Sequence, residues 1–290
     1  MDTYKKMKKQ QIRKRYIIGF LGMCLVLSSI WELSRAKNEL KEYKPVGQMV
    51  DVGTYEAHCY TKTNVKNEAE YAFVFITGSG TPCAYTDFYR LQEQLSAYGQ
   101  TITFDHAGLG WSINATTPRK VESLVTELAT IIETLAKDKK VILLCHSLGS
   151  LEAIGYAQTY PEQVKGIIFL DSGSPEFYST DSELMARVMN RSFALGRASG
   201  LNRLLGKCNV FLPLYGEHLR NHQLPEKIST LDEIMYYHYT GSLSTYKSIG
   251  DMNKNAKSVL EGNDLGDMPI FVLSSDSGKA WQKTQEELAT

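Results

Sequence analysis

Little in this chain points to a metal centre, a disulfide framework or a nucleic-acid partner. Among its 290 residues are five cysteines, Cys24, Cys59, Cys83, Cys145 and Cys208. Their positions match neither a metal-ligand spacing nor the pattern of a disulfide scaffold. No metal and no cofactor is therefore expected. Net charge is also missing, since 32 Lys and Arg balance 32 Asp and Glu. Residues 1–15 hold seven of the basic side chains against the single acid Asp2, which by subtraction leaves 25 basic and 31 acidic residues in the rest. A mildly acidic body has no electrostatic footprint for nucleic acid. Charge of either sign is absent from Tyr16 to Trp31. Histidine is scarce as well: His58, His106, His146, His218, His222 and His238 are the six, and none follows residue 238.

The uncharged run is nearly long enough to cross a bilayer, and Leu33 with snorkelling flanks extends it. Positive charge ahead of it predicts a cytoplasmic N-terminus and an extracytoplasmic body. This divides the start of the chain into a basic segment (1–15), a transmembrane signal-anchor (16–33) and a polar tether (34–48) containing Pro45 and Gly47. The alternative is a cleaved signal peptide and a secreted protein, with Ser34-Arg35-Ala36 as a small-x-small site. The length of the apolar run, and the position of that site beyond Glu32, favour the anchor.

Beyond the tether, period-two alternation from Met49 to Thr61 around Gly53 predicts a hairpin. Tyr71–Thr77, Thr101–Asp105, Val141–Cys145, Gly166–Asp171 and Pro269–Leu273 are short apolar runs, which read as buried parallel strands. Helical spacing separates them, over 85–98 and over 121–137, where Leu124, Leu128, Ile131, Ile132 and Leu135 recur every three or four residues. Alternation of strand and helix predicts an α/β fold, a mainly parallel sheet covered on both faces. Residues 49–174 form its first part and 266–290 its second. Between them, 175–265 contains only short amphipathic helical patterns. An insertion there sits over the carboxyl ends of the strands, where ligands bind in such sheets, and reads as a lid.

Residues 141–150, Val-Ile-Leu-Leu-Cys-His-Ser-Leu-Gly-Ser, carry the chemistry. An apolar strand stops at a small-residue turn, and a helix-compatible run begins at once. That is the setting of a nucleophile elbow, which holds a serine on a strained turn with its oxygen exposed. Ser147 is the candidate nucleophile, and the helix N-terminus with the N–H of Leu148 would stabilise negative charge beside it. In the usual Gly-x-Ser-x-Gly pattern Cys145 replaces the first glycine and Gly149 keeps the second.

Five segments in order resemble the lidded α/β-hydrolases, in particular membrane-anchored or exported bacterial members. They are Pro45-Val-Gly-Gln-Met-Val-Asp-Val-Gly53, Asp105-His-Ala-Gly-Leu-Gly-Trp-Ser112, the elbow, Tyr160-Pro-Glu-Gln-Val-Lys-Gly166 and Leu170-Asp-Ser-Gly-Ser-Pro-Glu176. The resemblance implies that Ser147 is the nucleophile, and a serine there argues against the carboxylate chemistry of epoxide hydrolases and haloalkane dehalogenases. It implies that the loop Thr77-Gly-Ser-Gly80 supplies the second oxyanion donor, the N–H of Ser79. It leaves two candidates for the acid, Asp276 after the strand at 269–273 and Asp171 at the end of the preceding one. Asp105 is expected to organise its glycine-rich loop by accepting backbone N–H bonds.

The base is harder to find. In this fold the triad runs Ser, Asp or Glu, then His after the last strand. Trp281-x-x-x-Gln-x-x-Leu288 resembles the family helix that precedes that strand. The simplest expectation is therefore a chain lacking the final strand, the histidine and the last helix, with the strand at 269–273 left as an exposed apolar edge. A natural pseudo-hydrolase, or a site rewired through His238, are the alternatives. Two function classes follow. One is a serine hydrolase cleaving an ester, thioester or amide of a small-molecule or lipid-like acyl substrate, with peptidase or peroxidase activity open on the same scaffold. Met185, Met189, Phe193, Tyr236, Tyr237 and Tyr239 offer an apolar acyl pocket. The other class is a membrane-tethered binding or scaffold protein without turnover.

Overall fold

A computed structural model describes residues 2–64, 70–208, 210, 223–275 and 278–289. Seven strands form one sheet in the order β1-β2-β4-β3-β5-β6-β7. They are β1 (Gln48–Asp51), β2 (Glu56–Lys62), β3 (Tyr71–Ile76), β4 (Gln100–Phe104), β5 (Lys140–His146), β6 (Val164–Leu170) and β7 (Ile270–Leu273). The first two are antiparallel to each other and β2 is antiparallel to β4, while the other pairs are parallel. The expected mainly parallel α/β sheet is what forms, with β1 and β2 as its antiparallel members.

The central strands lie under helices on both faces, which is why β3 and β5 read as continuous apolar runs rather than alternating ones. Ala72, Val74, Ile76, Leu143 and Cys145 all join the larger core, together with Leu128 and Ile131 of α4 (Val121–Leu135). Phe73, Phe75 and Leu144 point to the other face and pack against Phe88, between the short helices α2 (Ala84–Asp87) and α3 (Tyr89–Leu95). The long helix expected over 85–98 is thus two pieces, broken where Phe88 turns inward. The elbow helix α5 (Gly149–Thr159) is buried almost throughout.

The described part of 175–265 is helical: α6 (Pro175–Thr180), α7 (Glu183–Ala198), α8 (Leu201–Lys207), α9 (Glu226–Tyr239), α10 (Leu243–Ile249) and α11 (Met252–Leu260). α11 packs on α4, α5 and α6, and α9 reaches α2. After β7 comes α12 (Lys279–Glu287). Among the described residues β7 is an edge strand, with Phe271 59% and Leu273 50% exposed.

The tether expectation is corrected. α1 runs unbroken from Asp2 to Glu42, so residues 34–42 continue the helix instead of forming a loose link. Ala36, Glu39, Leu40, Lys41 and Glu42 are good helix formers, and extended chain begins only where Pro45 and Gly47 interrupt. Within α1, Lys9–Glu42 is long and apolar enough to cross a membrane.

Leu143 is fully buried at the centre of the sheet. Leu143→Ala is expected to destabilise the fold by about 2–5 kcal/mol, read as a lower urea midpoint in mild detergent with an unchanged slope.

Candidate active site

The site is built where β5 meets α5. Ser147 adopts φ 50°, a left-handed conformation rare for a residue with a Cβ. Such a conformation costs on the order of 1–3 kcal/mol and persists only when its surroundings enforce it. Here the loop after β3 does so. A Cβ on Gly78 would come within 2.9 Å of the Ser147 Cβ, and one on Gly149 within 2.8 Å of the Thr77 carbonyl oxygen. Only glycines let these backbones approach. Cys145, which replaces the usual first glycine, is fully buried. Its Sγ is 3.8 Å from the Ile168 carbonyl on β6, so the extra side chain packs between strands and leaves the elbow's turn intact. Burial pushes its thiol pKa well up, which makes it an inert core residue.

Ser79 and Leu148 line the same cavity, with Thr77, Gly78, His106, Leu109, Leu151 and Glu152. Its volume is about 50 Å³. Along its wall runs a polar chain. The Thr77 hydroxyl is 2.9 Å from His106 Nδ1, and His106 Nε2 is 2.7 Å from the Glu152 carboxylate. This chain ties the loops after β3 and β4 to α5. Sequence reasoning missed it because its members lie 29 and 46 positions apart.

Another missed residue touches Ser147. Tyr178, on α6, places its hydroxyl 3.4 Å from Ser147 Oγ. Burial raises the phenol's pKa, more than the hydrogen bonds from Ser147 and the Gly173 backbone lower it. It is therefore neutral at ordinary pH. Its only sequence signal is its place just after Asp171-Ser-Gly-Ser-Pro-Glu176.

Asp171 follows β6, also with positive φ, 47°. Its Oδ1 accepts from the Ser275 amide at 3.2 Å, from Trp281 Nε1 at 2.7 Å and from Gln285 Nε2. Burial raises its pKa, but these hydrogen bonds outweigh it and hold the carboxyl below its ordinary value. It is a fixed anion whose shown partners anchor the segment after β7 and α12. The other candidate acid, Asp276, lies outside the described residues, as do His218 and His222.

Among the described residues no histidine nitrogen lies within hydrogen-bond distance of Ser147 Oγ. His146 precedes the serine, and burial lowers its pKa despite the charge of Asp171. His238 is turned the other way, its Nε2 3.6 Å from the Glu39 carboxylate of α1, so rewiring through His238 is corrected. The expected acyl-pocket residues are also elsewhere. Met185 and Met189 are exposed, and Tyr236 and Tyr237 pack on Phe193 and Leu205.

Asp105 does organise its loop. It accepts from the amides of Ala84 at 2.6 Å and Trp111 at 3.1 Å, and from His58 Nδ1 at 2.8 Å. The other ring nitrogen of His58 meets the Val46 carbonyl. A carboxylate and a carbonyl both accept, so this pair of contacts favours the imidazolium, in which both nitrogens donate. Burial opposes that charge, but the bond to Asp105, its negative charge and the Val46 carbonyl together raise the pKa above the ordinary value. A raised native pKa contributes stability that is complete below the unfolded value of about 6.5 and lost as pH rises through the native one. The stability gap between wild type and His58→Gln, from urea unfolding, is therefore expected to be widest in mild acid and to narrow as pH climbs.

The profile of the alpha/beta hydrolase fold matches residues 71–276. An uncharacterized protein of Bacillus subtilis (strain 168), YbdG, is 28% identical over 199 residues, 67% of this chain and 60% of its own length. A (lyso)-N-acylphosphatidylethanolamine lipase of Mus musculus is 39% identical over 98 residues, 32% of this chain and 29% of the lipase. The chain thus spans less than two thirds of either relative. The solved enol-lactonase from Burkholderia xenovorans LB400 superposes with a TM-score of 0.57 at 14% identity, over 83% of this chain and 87% of that one, a likeness of fold alone. The matched segment runs from β3 through the elbow to just past β7, and this chain belongs to the alpha/beta hydrolase fold family.

Proposed function

We propose that the protein is a serine hydrolase that cleaves an ester, thioester or amide through an acyl-enzyme on Ser147. The observation that carries this reading is the strained, left-handed Ser147 at the β5–α5 turn, with Leu148 and Ser79 on the wall of one adjoining cavity. In this reading Ser147 Oγ attacks the acyl carbonyl, and the N–H groups of Leu148 and Ser79 hold the oxyanion that forms. Tyr178, neutral, shares a hydrogen bond with the same oxygen, in which either hydroxyl can donate, and cannot serve as the base. The Ser147 proton needs an imidazole base oriented by a carboxylate, Asp171 or Asp276, and none of the described histidines is in place to take it.

An ester with an apolar acyl group is the substrate class supported best. The mouse relative is by name a lipase, and a membrane anchor at α1 keeps the site near lipid, with the hydrolase fold on the extracytoplasmic side. The cavity offers about 50 Å³, room for only a few water molecules at roughly 10–15 Å³ each. A longer acyl chain therefore needs more room, which movement of α10, whose Ser244, Thr245 and Ser248 line the cavity, would supply as part of a lid. A second reading, a membrane-tethered protein that binds at the elbow without turnover, is favoured by the contact that Ser147 Oγ does make, with the Tyr178 hydroxyl and, among the described residues, with no histidine.

The purified protein is expected to react with a fluorophosphonate probe and Ser147→Ala not to react. Hydrolysis of a short p-nitrophenyl ester should fall at least about a thousandfold in Ser147→Ala. Tyr178→Phe should lose up to about tenfold, the worth of one neutral hydrogen bond. A folded wild type that the probe leaves untouched would establish the binding reading instead.

A further inference from the structure

We propose that the α7–α8 corner of the helical insertion is a membrane-docking surface, seated among lipid acyl chains beside α1. The proposal rests on α1 crossing the bilayer, and adds that the hydrolase domain itself enters the leaflet.

The first observation is an inversion of ordinary helix patterning. α8 buries its polar residues, Asn202 and Arg203 at 5% and 3% exposure, and turns out Leu201 and Leu204 at 47% and 59%. α7 does the same, burying Asn190 while Leu184, Met185, Val188 and Leu195 are each more than half exposed. A solvated helix has the opposite arrangement, and a contiguous exposed apolar face marks a binding surface.

The second observation identifies the occupant. α8 is locked to α1 by a buried ionic cluster. Arg203 donates to Glu32 at 2.9–3.1 Å and to Glu39 at 2.7 and 3.0 Å. The Ser28 hydroxyl donates to the Ser199 carbonyl at 2.5 Å. Between the helices is an apolar groove of about 550 Å³, lined on one side by Leu21, Leu25 and Trp31 and on the other by Leu201 and Leu204. Trp31 and Glu32 end the uncharged run and mark the membrane interface. Leu25 lies about 9 Å inside Trp31 along the helix. Side chains of α8 that share a groove with Leu25 and Leu21 are therefore below the interface whenever α1 spans. That depth matches the roughly 5–10 Å to which interfacial amphipathic helices sink. Lys207, with its Nζ 5.7 Å from the Trp31 ring centroid, sits at the rim, where a cation meets lipid phosphate. Continuity with α1 makes the leaflet, rather than a second protein, the partner of this face.

The test uses the full chain in phosphatidylcholine vesicles, with the exposed Cys24 and Cys208 changed to serine. A bimane label is placed singly at Leu25→Cys in α1, at Leu204→Cys, or at Leu260→Cys, which is exposed on α11. Quenching by brominated lipid is then measured at each. Strong quenching at 25 and 204, several-fold above 260, supports the proposal. Quenching at 25 alone overturns it and leaves the anchor standing. Quenching at neither overturns both. A label at 204 shielded from lipid but self-quenched as protein density rises identifies a face between two copies, and also overturns it.

Discussion

The site depends on one close approach, between the turn at Ser147 and the loop that follows β3. Ser147 holds its left-handed backbone because Gly78 and Gly149 bring three backbone segments closer than a Cβ permits. The sheet supplies the force behind that approach. Parallel pairing of β5 with β3 and β6, in unbroken register from Ile142 to the strand ends, places the turn at the strands' carboxyl edge. The apolar surface buried beneath it offsets the local strain. The position of the loop after β3, the cavity and the contact with Tyr178 all follow from that placement.

A second constraint joins the N-terminal helix to the insertion. The Arg203–Glu32–Glu39 cluster is nearly dry, and a buried ion pair of this kind adds little net stability, because desolvating the charges offsets their attraction. What it does is fix register. Any slide of α1 along α8 strands a buried guanidinium between carboxylates that no longer meet it. The same insertion carries Tyr178 at its start and the α10 residues that line the cavity, so the orientation of the site relative to α1 is set by the fold and not by a flexible link.

Much of this was legible in the residues, and the gaps have physical causes. The strands were readable because both faces are buried, which leaves continuous apolar runs ended by Gly-rich turns. The elbow was readable because its chemistry is local: strand, serine and helix lie within ten consecutive positions. The tether misled because polar composition resembles a solvated linker, whereas helix propensity carries α1 on to Glu42 and Glu32 and Glu39 find their partner 171 and 164 positions away. Met185 and Met189 misled because an apolar stripe says that something covers it, not what. Asp105 was read correctly as a loop organiser, yet its partner His58, 47 positions upstream, left no local trace.

The sequence by itself determined the family, the order of elements and the identity of the strained serine, because those depend on periodicity and on turn chemistry between neighbours. Only the tertiary structure decided which side chains share the site. Tyr178 on Ser147, Glu152 behind His106, the three donors on Asp171 and His238 turned to α1 are all contacts across tens to hundreds of residues. They are made by crossover connections and helix docking, whose geometry no local pattern encodes.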